Sequence, residues 1–344
     1  MESWLRTHEI DESTKALYRH YGRLHLNPAF GDTPIGRIST RALEEFYADL
    51  RRCSKRCDGR PFLEHRSNEP HECREVRHKR PPGRPPAAGY PPHDCTTKGC
   101  RVVECQPHIC RPLAPGTVRG IHFVIRGVMT AAERWEWIGT NPAARAVKPR
   151  QPAPNPEPPT PAQAATIIEA AWAEDDQWGT LVWLVMVTGL RRGELLALRW
   201  SDLDLESGML NVRRGYVRLA RRSIEKDTKT HRMRRIALDP ETVSVLTDHL
   251  ARYRERCEAL GTKPLGDAFL FSYRPDADQP CNPSGITHRY ARLCARVGLD
   301  SHLHALRHYS ATELLTAGVD LRTVAGRLGH AGGGATTLRV YAAW

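Results

Sequence analysis

The chain has 344 residues, of which 40% are hydrophobic and 26% charged, a composition that suits about two domains with packed cores. The longest apolar run, Leu181–Val187, is far too short to cross a bilayer, and the N-terminus, MESWLRTHEI, lacks the basic-then-apolar order of a secretory signal. The 51 Lys and Arg against 39 Asp and Glu give a net charge of +12, mostly from residues 1–150, which fits a polyanionic partner, either nucleic acid or an anionic membrane surface; with no secretory signal a cytoplasmic location is expected.

In chain order, residues 11–25 predict a helix starting near Ser13 or Thr14, and Thr40–Arg52 predicts a second with Leu43, Phe46, Tyr47 and Leu50 on one face. From about Cys53 to Cys110 the sequence is irregular, with PPGRPP and YPPHD, which cannot continue a helix. Pro115–Trp137 restores a long helical pattern. Residues 149–161, PRQPAPNPEPPTP, contain seven prolines and read as an extended linker. The expected organisation is therefore a helical domain over 1–150 with an insertion at 53–110, a linker over 151–161, and a second domain over 162–344.

Beyond the linker, Thr160 and Pro161 open a helix that runs to Ala173. Trp178–Gly189 predicts a buried apolar helix and Gly193–Trp200 another. Met209–Val212, Tyr216–Ile224 and Met233–Leu238 predict three short antiparallel strands. Helices follow at about 240–260, 283–297, 304–317 and 320–328. The fold class is mainly α with a small antiparallel β-sheet (α+β).

Four separated motifs in the second domain bear on chemistry. Thr188-Gly189-Leu190-Arg191-Arg192-Gly193-Glu194 ends an apolar helix at glycine and puts an arginine at the next helix start, where a guanidinium can meet a phosphate. Lys229, in Asp227-Thr228-Lys229-Thr230, falls in a turn between strands. His304 and Arg307, in His304-Ala305-Leu306-Arg307-His308, share a helix face. Leu328-Gly329-His330 is followed by Tyr341. Taken singly, each has an ordinary reading: a surface arginine pair, a solvated lysine, a structural histidine, a packing tyrosine.

Together and in this order, with the words TGLRRGELLALRWSDLDL, HALRHYSATELLTAGVDLRTVAGRLGHA and TTLRVYA, they resemble the catalytic domain of the tyrosine recombinases, the phage integrase family. The resemblance covers about 160–344 and extends more weakly to 1–50 and 111–150, which look like a helical, SAM-like core-site-binding domain. It implies a site-specific recombinase that cleaves and rejoins DNA through a 3′-phosphotyrosyl intermediate, with Tyr341 as nucleophile. By the same resemblance, Arg191 and Arg307 bind the phosphate oxygens, and Lys229 protonates the leaving 5′-oxygen. His304 binds phosphate and assists proton transfer from Tyr341, and His330 adds a phosphate hydrogen bond. Glu194 and His308 support the site. The resemblance also implies no cofactor for catalysis, double-stranded DNA at attachment-type sites, a homotetramer in the synapse, and an excisionase or a host DNA-bending protein as accessory; no membrane is expected.

Two departures keep a second reading open. Against that resemblance, the sequence is expected to open directly on the core-binding domain rather than on the N-terminal arm-binding domain many phage integrases carry, and the given sequence ends three residues after Tyr341, where family members usually continue. A truncated, catalytically impaired DNA-binding prophage remnant is the alternative, and a type IB topoisomerase shares the chemistry.

The insertion holds seven of the ten cysteines, with histidines interleaved. In a reducing compartment, Cys and His at short spacings read as structural zinc ligands. Cys53-x3-Cys57, His71-x-Cys73 and Cys105-x2-His108-x-Cys110 are the best fragments, giving Cys53, Cys57, His71, Cys73, Cys105, His108 and Cys110 as candidates. The spacing matches no standard finger; a basic loop with reduced thiols is the alternative.

Overall fold

A computed structural model gives the architecture and describes residues 1–57, 63–64, 71–79, 86–89, 91–150, 156–219, 222–227, 233–330 and 334–341. The chain divides into two compact units, Met1–Pro152 and Ala153–Trp344.

The first unit is a helical bundle. Its helices α1 (Glu2–Thr7), α2 (Glu12–Tyr21) and α3 (Asn27–Phe30) lead to α4 (Thr40–Arg52). The cap of α2 is Asp11, whose carboxylate accepts from the Ser13 backbone N–H at 2.8 Å, so the helix starts before the serine and threonine expected to cap it. Beyond Tyr21 it widens into a π turn over Gly22–Leu26. The predicted α4 matches residue for residue, capped by Ser39, and the four apolar residues expected on its face are buried. They pack on Val118, Ile121, Ile125 and Met129 of α5 (Pro115–Arg134), with α6 (Pro142–Arg145) closing the cluster. Between α4 and α5 the described residues include the short strands β1 (Leu63–Glu64), β2 (Arg74–Arg77), β3 (Arg101–Glu104) and β4 (Gln106–Pro107). They form two antiparallel pairs, β1 with β4 and β2 with β3.

The second unit opens with α7 (Pro161–Trp172), whose capping box joins Thr160 and Gln163. Next, α8 (Asp176–Thr188) buries Trp178, Leu181, Val182, Leu184 and Val185 and ends at Gly189 in the left-handed region, φ 64°. A short α9 (Arg192–Leu196) follows; the helix expected to reach Trp200 stops early, and Trp200–Asp202 is a 3-10 turn. The strands are β5 (Leu203–Asp204), β6 (Met209–Val212), β7 (Arg214–Leu219), β8 (Arg222–Asp227) and β9 (Arg234–Ala237). They build a three-stranded sheet, β5-β6-β9, and a separate β7–β8 hairpin. The single strand expected over Tyr216–Ile224 is thus two, folded back so that Leu219 faces Arg222. No Asn-Gly or Asp-Gly marks that two-residue connection, so alternation runs through it undetected. The remaining helices are α10 (Pro240–Ala259), α11 (Pro283–Arg296), α12 (Leu303–Thr316), α13 (Leu321–Leu328) and α14 (Ala335–Tyr341). The core gathers α7, α8, the sheet, α11 and α12 around Leu181, Leu184, Leu195, Leu210, Ile236, Phe271, Tyr290 and Leu306. Among the described residues no helix is long and apolar enough to cross a membrane.

The start of α9 packs directly on backbone. A Cβ at Gly193 would lie 2.9 Å from the Tyr216 carbonyl oxygen of β7. Gly193→Ala should therefore cost about 2 kcal/mol of stability by overpacking, measured as a lowered urea midpoint; an unchanged midpoint would show that β7 gives way freely.

Candidate active site

Two helix ends create the frame. The last carbonyls of a helix have no partner inside it, and a glycine in the left-handed region lets the chain turn away. Here α8 ends at Gly189 and α13 at Gly329, φ 64° and 65°. Arg307 of α12, buried, donates to the carbonyls of both ends, to Gly189 and, at 2.7 Å, to Leu328. Arg191 donates through one guanidinium nitrogen to the Gly329 carbonyl at 2.9 Å and through the other to Glu194 Oε1 at 2.7 Å.

Glu194 is buried and is the counter-charge of this cluster. It accepts from the Arg191 backbone N–H at 2.9 Å and takes a two-pronged contact from Arg234 of β9, at 3.1 and 2.7 Å. Arg234 also donates to the Arg327 carbonyl at 2.8 Å, tying the sheet to the end of α13. Burial alone would raise the Glu194 carboxyl; hydrogen bonds from Arg234 and the charges of Arg234 and Arg191 outweigh it and hold it at about 2.

The histidines answer the same field. Burial lowers His304 to about 4, helped by His308, Arg307, His302 and Arg191. Burial lowers His330 to about 4, helped by Arg307, Arg191, Arg234 and His304. Both are therefore neutral in the free protein at neutral pH. His330 Nδ1 lies 2.7 Å from the Thr337 hydroxyl. Tyr341 is buried at the end of α14, its phenol pushed up by burial to about 12 despite Arg307. Its hydroxyl is hydrogen-bonded to His308 Nδ1 at 2.6 Å, and the His308 ring stands edge-on to His304 with centroids 4.8 Å apart.

A family model described as the phage integrase family matches residues 160–343. The chain belongs to the phage integrase family. A tyrosine recombinase XerC-like protein of Caldanaerobacter subterraneus subsp. tengcongensis is 31% identical over 159 residues, 43% of this chain and 41% of that protein. The ICEBs1 integrase of Bacillus subtilis is 29% identical over 164 residues, 47% of this chain and 44% of that protein, so the chain spans less than half the length of these curated relatives. A prophage phiRv2 integrase of Mycobacterium tuberculosis is 24% identical over 344 residues, 99% of this chain and 73% of that protein. Among solved structures, the Tn1549 transposon integrase in complex with a circular intermediate DNA superposes with a TM-score of 0.69 at 17% identity, covering 99% of this chain and 92% of that one. A lambda integrase dimer bound to a COC′ core site gives 0.58 at 17% identity, covering 99% and 77%. These structures share the fold.

Of the six catalytic residues inferred for this integrase-family chain, Arg191, His304, Arg307, His330 and Tyr341 fall in one cluster. Lys229 lies outside the described residues, two positions after β8. Two neighbours were not in that set. Arg234 sits in Arg232-Met233-Arg234-Arg235, where nothing in the sequence singles out one arginine. His308 was read as support, yet it is the histidine that touches the Tyr341 hydroxyl.

The candidate metal ligands of the first unit separate. Cys53, Cys57, His108 and Cys110 form one group, and His71, Cys73 and Cys105 another. A third group, His78, His93, Cys95 and Cys100, was absent from the expected ligand set.

Glu194 supplies the first test of the site. Its carboxyl is depressed in the folded state, so its stabilisation is full above the ordinary carboxylate range and is lost as pH falls toward 2. Glu194→Gln, which leaves Arg234 and Arg191 without their buried counter-charge, should cost about 3 kcal/mol at neutral pH. It should also flatten the acid loss of stability between pH 4.5 and about 2. Urea unfolding across pH measures both; a midpoint at neutral pH equal to wild type would refute the counter-charge role.

Proposed function

We propose that this chain is a site-specific DNA recombinase that breaks and rejoins double-stranded DNA through a 3′-phosphotyrosyl intermediate, in integration or excision of a phage or mobile element. The observation that carries this reading is the Tyr341 hydroxyl held on His308, beside a group of arginines and neutral histidines anchored on two helix ends.

In the step so supported, the Tyr341 oxygen attacks the phosphorus, a P–O bond to Tyr341 forms, and the bond to the 5′-oxygen breaks. The phenol does not ionise by itself near neutral pH, so its proton must leave as attack proceeds. His308 Nδ1 is the acceptor within reach. Arg191 and Arg307 carry forked donors for the non-bridging oxygens, where negative charge builds. His304 and His330 donate hydrogen bonds to the phosphate, and Lys229 delivers a proton to the departing 5′-oxygen. The phosphotyrosyl link conserves the energy of the broken phosphodiester, so a 5′-hydroxyl of another strand can reseal it. Attachment-type sites, a homotetrameric synapse, and an excisionase or host bending protein complete the proposal.

A nicked suicide substrate carrying the candidate attachment site tests it. Wild type should give a covalent protein–DNA adduct on a denaturing gel and Tyr341→Phe none; failure of wild type to form an adduct on DNA that it binds would sink the reading. His308→Phe should slow adduct formation about a hundredfold at neutral pH and lessen the deficit as pH rises. An unchanged rate would leave His308 a packing residue.

A further inference from the structure

Among its described residues, the excursion between α4 and α5 buries little besides Cys57 and Cys105. The β2–β3 ribbon pairs Arg74 with Glu104 through Arg77 with Arg101, and of its eight residues only Val103 is even partly buried. A two-stranded ribbon without an apolar face does not hold itself together in water. Small elements in this position rely on a covalent or metal staple. The cysteines in this segment are all free thiols.

The donors instead converge in space. At the base, Cys53 ends α4 and Cys57 follows it, while His108 and Cys110 precede α5. Cys53 Sγ is 3.2 Å from His108 Nε2, Cys57 Sγ is 3.2 Å from Cys110 Sγ, and all four donor atoms lie within 4.8 Å of one another. Two sulfurs at that distance are well outside the ~2.05 Å of a disulfide. At the far end of the ribbon, His78 follows β2 directly and Cys100 precedes β3 directly. Here His78 Nδ1 is 3.2 Å from His93 Nε2, and His93 Nε2 is 3.0 Å from Cys100 Sγ. Cys95 Sγ is 3.6 Å from His78 and 3.8 Å from His93, and Cys100 Sγ is 3.7 Å from His78. Donors bound tetrahedrally to one ion, at about 2.3 Å for sulfur and 2.0–2.1 Å for nitrogen, sit about 3.3–3.8 Å apart. Both groups have close to this size.

We propose that the insertion carries two separate structural zinc sites, Cys53–Cys57–His108–Cys110 at its base and His78–His93–Cys95–Cys100 at the tip of its ribbon. Thiolate and imidazole donors suit zinc rather than calcium or magnesium, which take oxygen. Four protein ligands close each site, which makes it structural. The base site fastens the end of α4 to the approach of α5, alongside the backbone bonds Ser54 N–H to the Arg111 carbonyl, 2.8 Å, and Leu113 N–H to the Leu50 carbonyl, 3.0 Å. The tip site closes the open end of β2–β3, while Cys105 N–H to the Cys73 carbonyl, 2.7 Å, closes the other. The His71–Cys73–Cys105 group has three donors among the described residues and is no part of the proposal.

Elemental analysis of the full chain, refolded with excess zinc and then desalted, tests it. Wild type should retain at least two zinc ions per chain. Cys110→Ala and Cys100→Ala should each hold one ion fewer than wild type, and the double variant two fewer. Cys110→His and Cys100→His, which keep a zinc-competent donor, should restore the wild-type content and so separate ligand loss from misfolding. Fewer than two ions in wild type, alanine variants with unchanged zinc, or histidine variants as depleted as the alanine ones would each overturn the proposal.

Discussion

The second unit depends on carbonyl oxygens at two helix C-termini holding arginines in place. Helix C-termini carry partial negative charge and unpaired acceptors. The end of α8 offers the carbonyls of Val187 and Gly189; the end of α13 offers those of Arg327, Leu328 and Gly329. Arg327 takes the first at 3.1 Å, Arg307 spans both helix ends, Arg234 takes Arg327, and Arg191 takes Gly329. Four guanidinium groups can crowd together because helix ends and Glu194 supply the opposing charge. The glycines are needed for space as well as φ. A Cβ at Gly189 would meet Leu328 at 2.6 Å, and one at Gly329 would meet the Arg234 guanidinium at 2.8 Å.

That arrangement explains what was legible in the sequence. Local devices were: the apolar face of α4, the Thr160–Pro161 start of α7, and the glycine ending α8 each depend on a few neighbouring residues, and each stands where its pattern places it. The cluster of Arg191, His304, Arg307, His330 and Tyr341 was legible through family resemblance, because spacing alone leaves each with an ordinary reading. Arg234 was not legible, since its role comes from β9 lying beside α13, a long-range pairing that Arg232, Arg234 and Arg235 do not distinguish in sequence. The β7–β8 hairpin was missed because alternation continues across its connection and marks no turn.

The insertion shows a different limit. Reading Cys105-x2-His108-x-Cys110 as one fragment joins residues that the fold separates: Cys105 faces His71, while His108 and Cys110 return to Cys53 and Cys57. The donor groups are nested, the outermost pair of segments enclosing the others, so neighbours in sequence serve different centres. Nesting is what a long excursion from one helix end back to the next requires. Closing it at the base costs loop entropy that grows only slowly with length, so a large ribbon can sit in a helical bundle without disturbing the Leu43–Leu50 face on α5.

The same charges that anchor the second unit set its protonation. In the free protein, desolvation and neighbouring arginines keep His304 and His330 neutral, and burial keeps Tyr341 a phenol. A phosphodiester bound there, as proposed, would bring negative charge among these arginines and oppose the electrostatic part of that balance. The histidines would then bind protons more readily, although each already has one N–H to donate while neutral, and the arginines have further guanidinium donors for the anion. His308 stands apart, its ring between His304 and the Tyr341 hydroxyl, so the group poised to accept a proton is separate from those poised to donate.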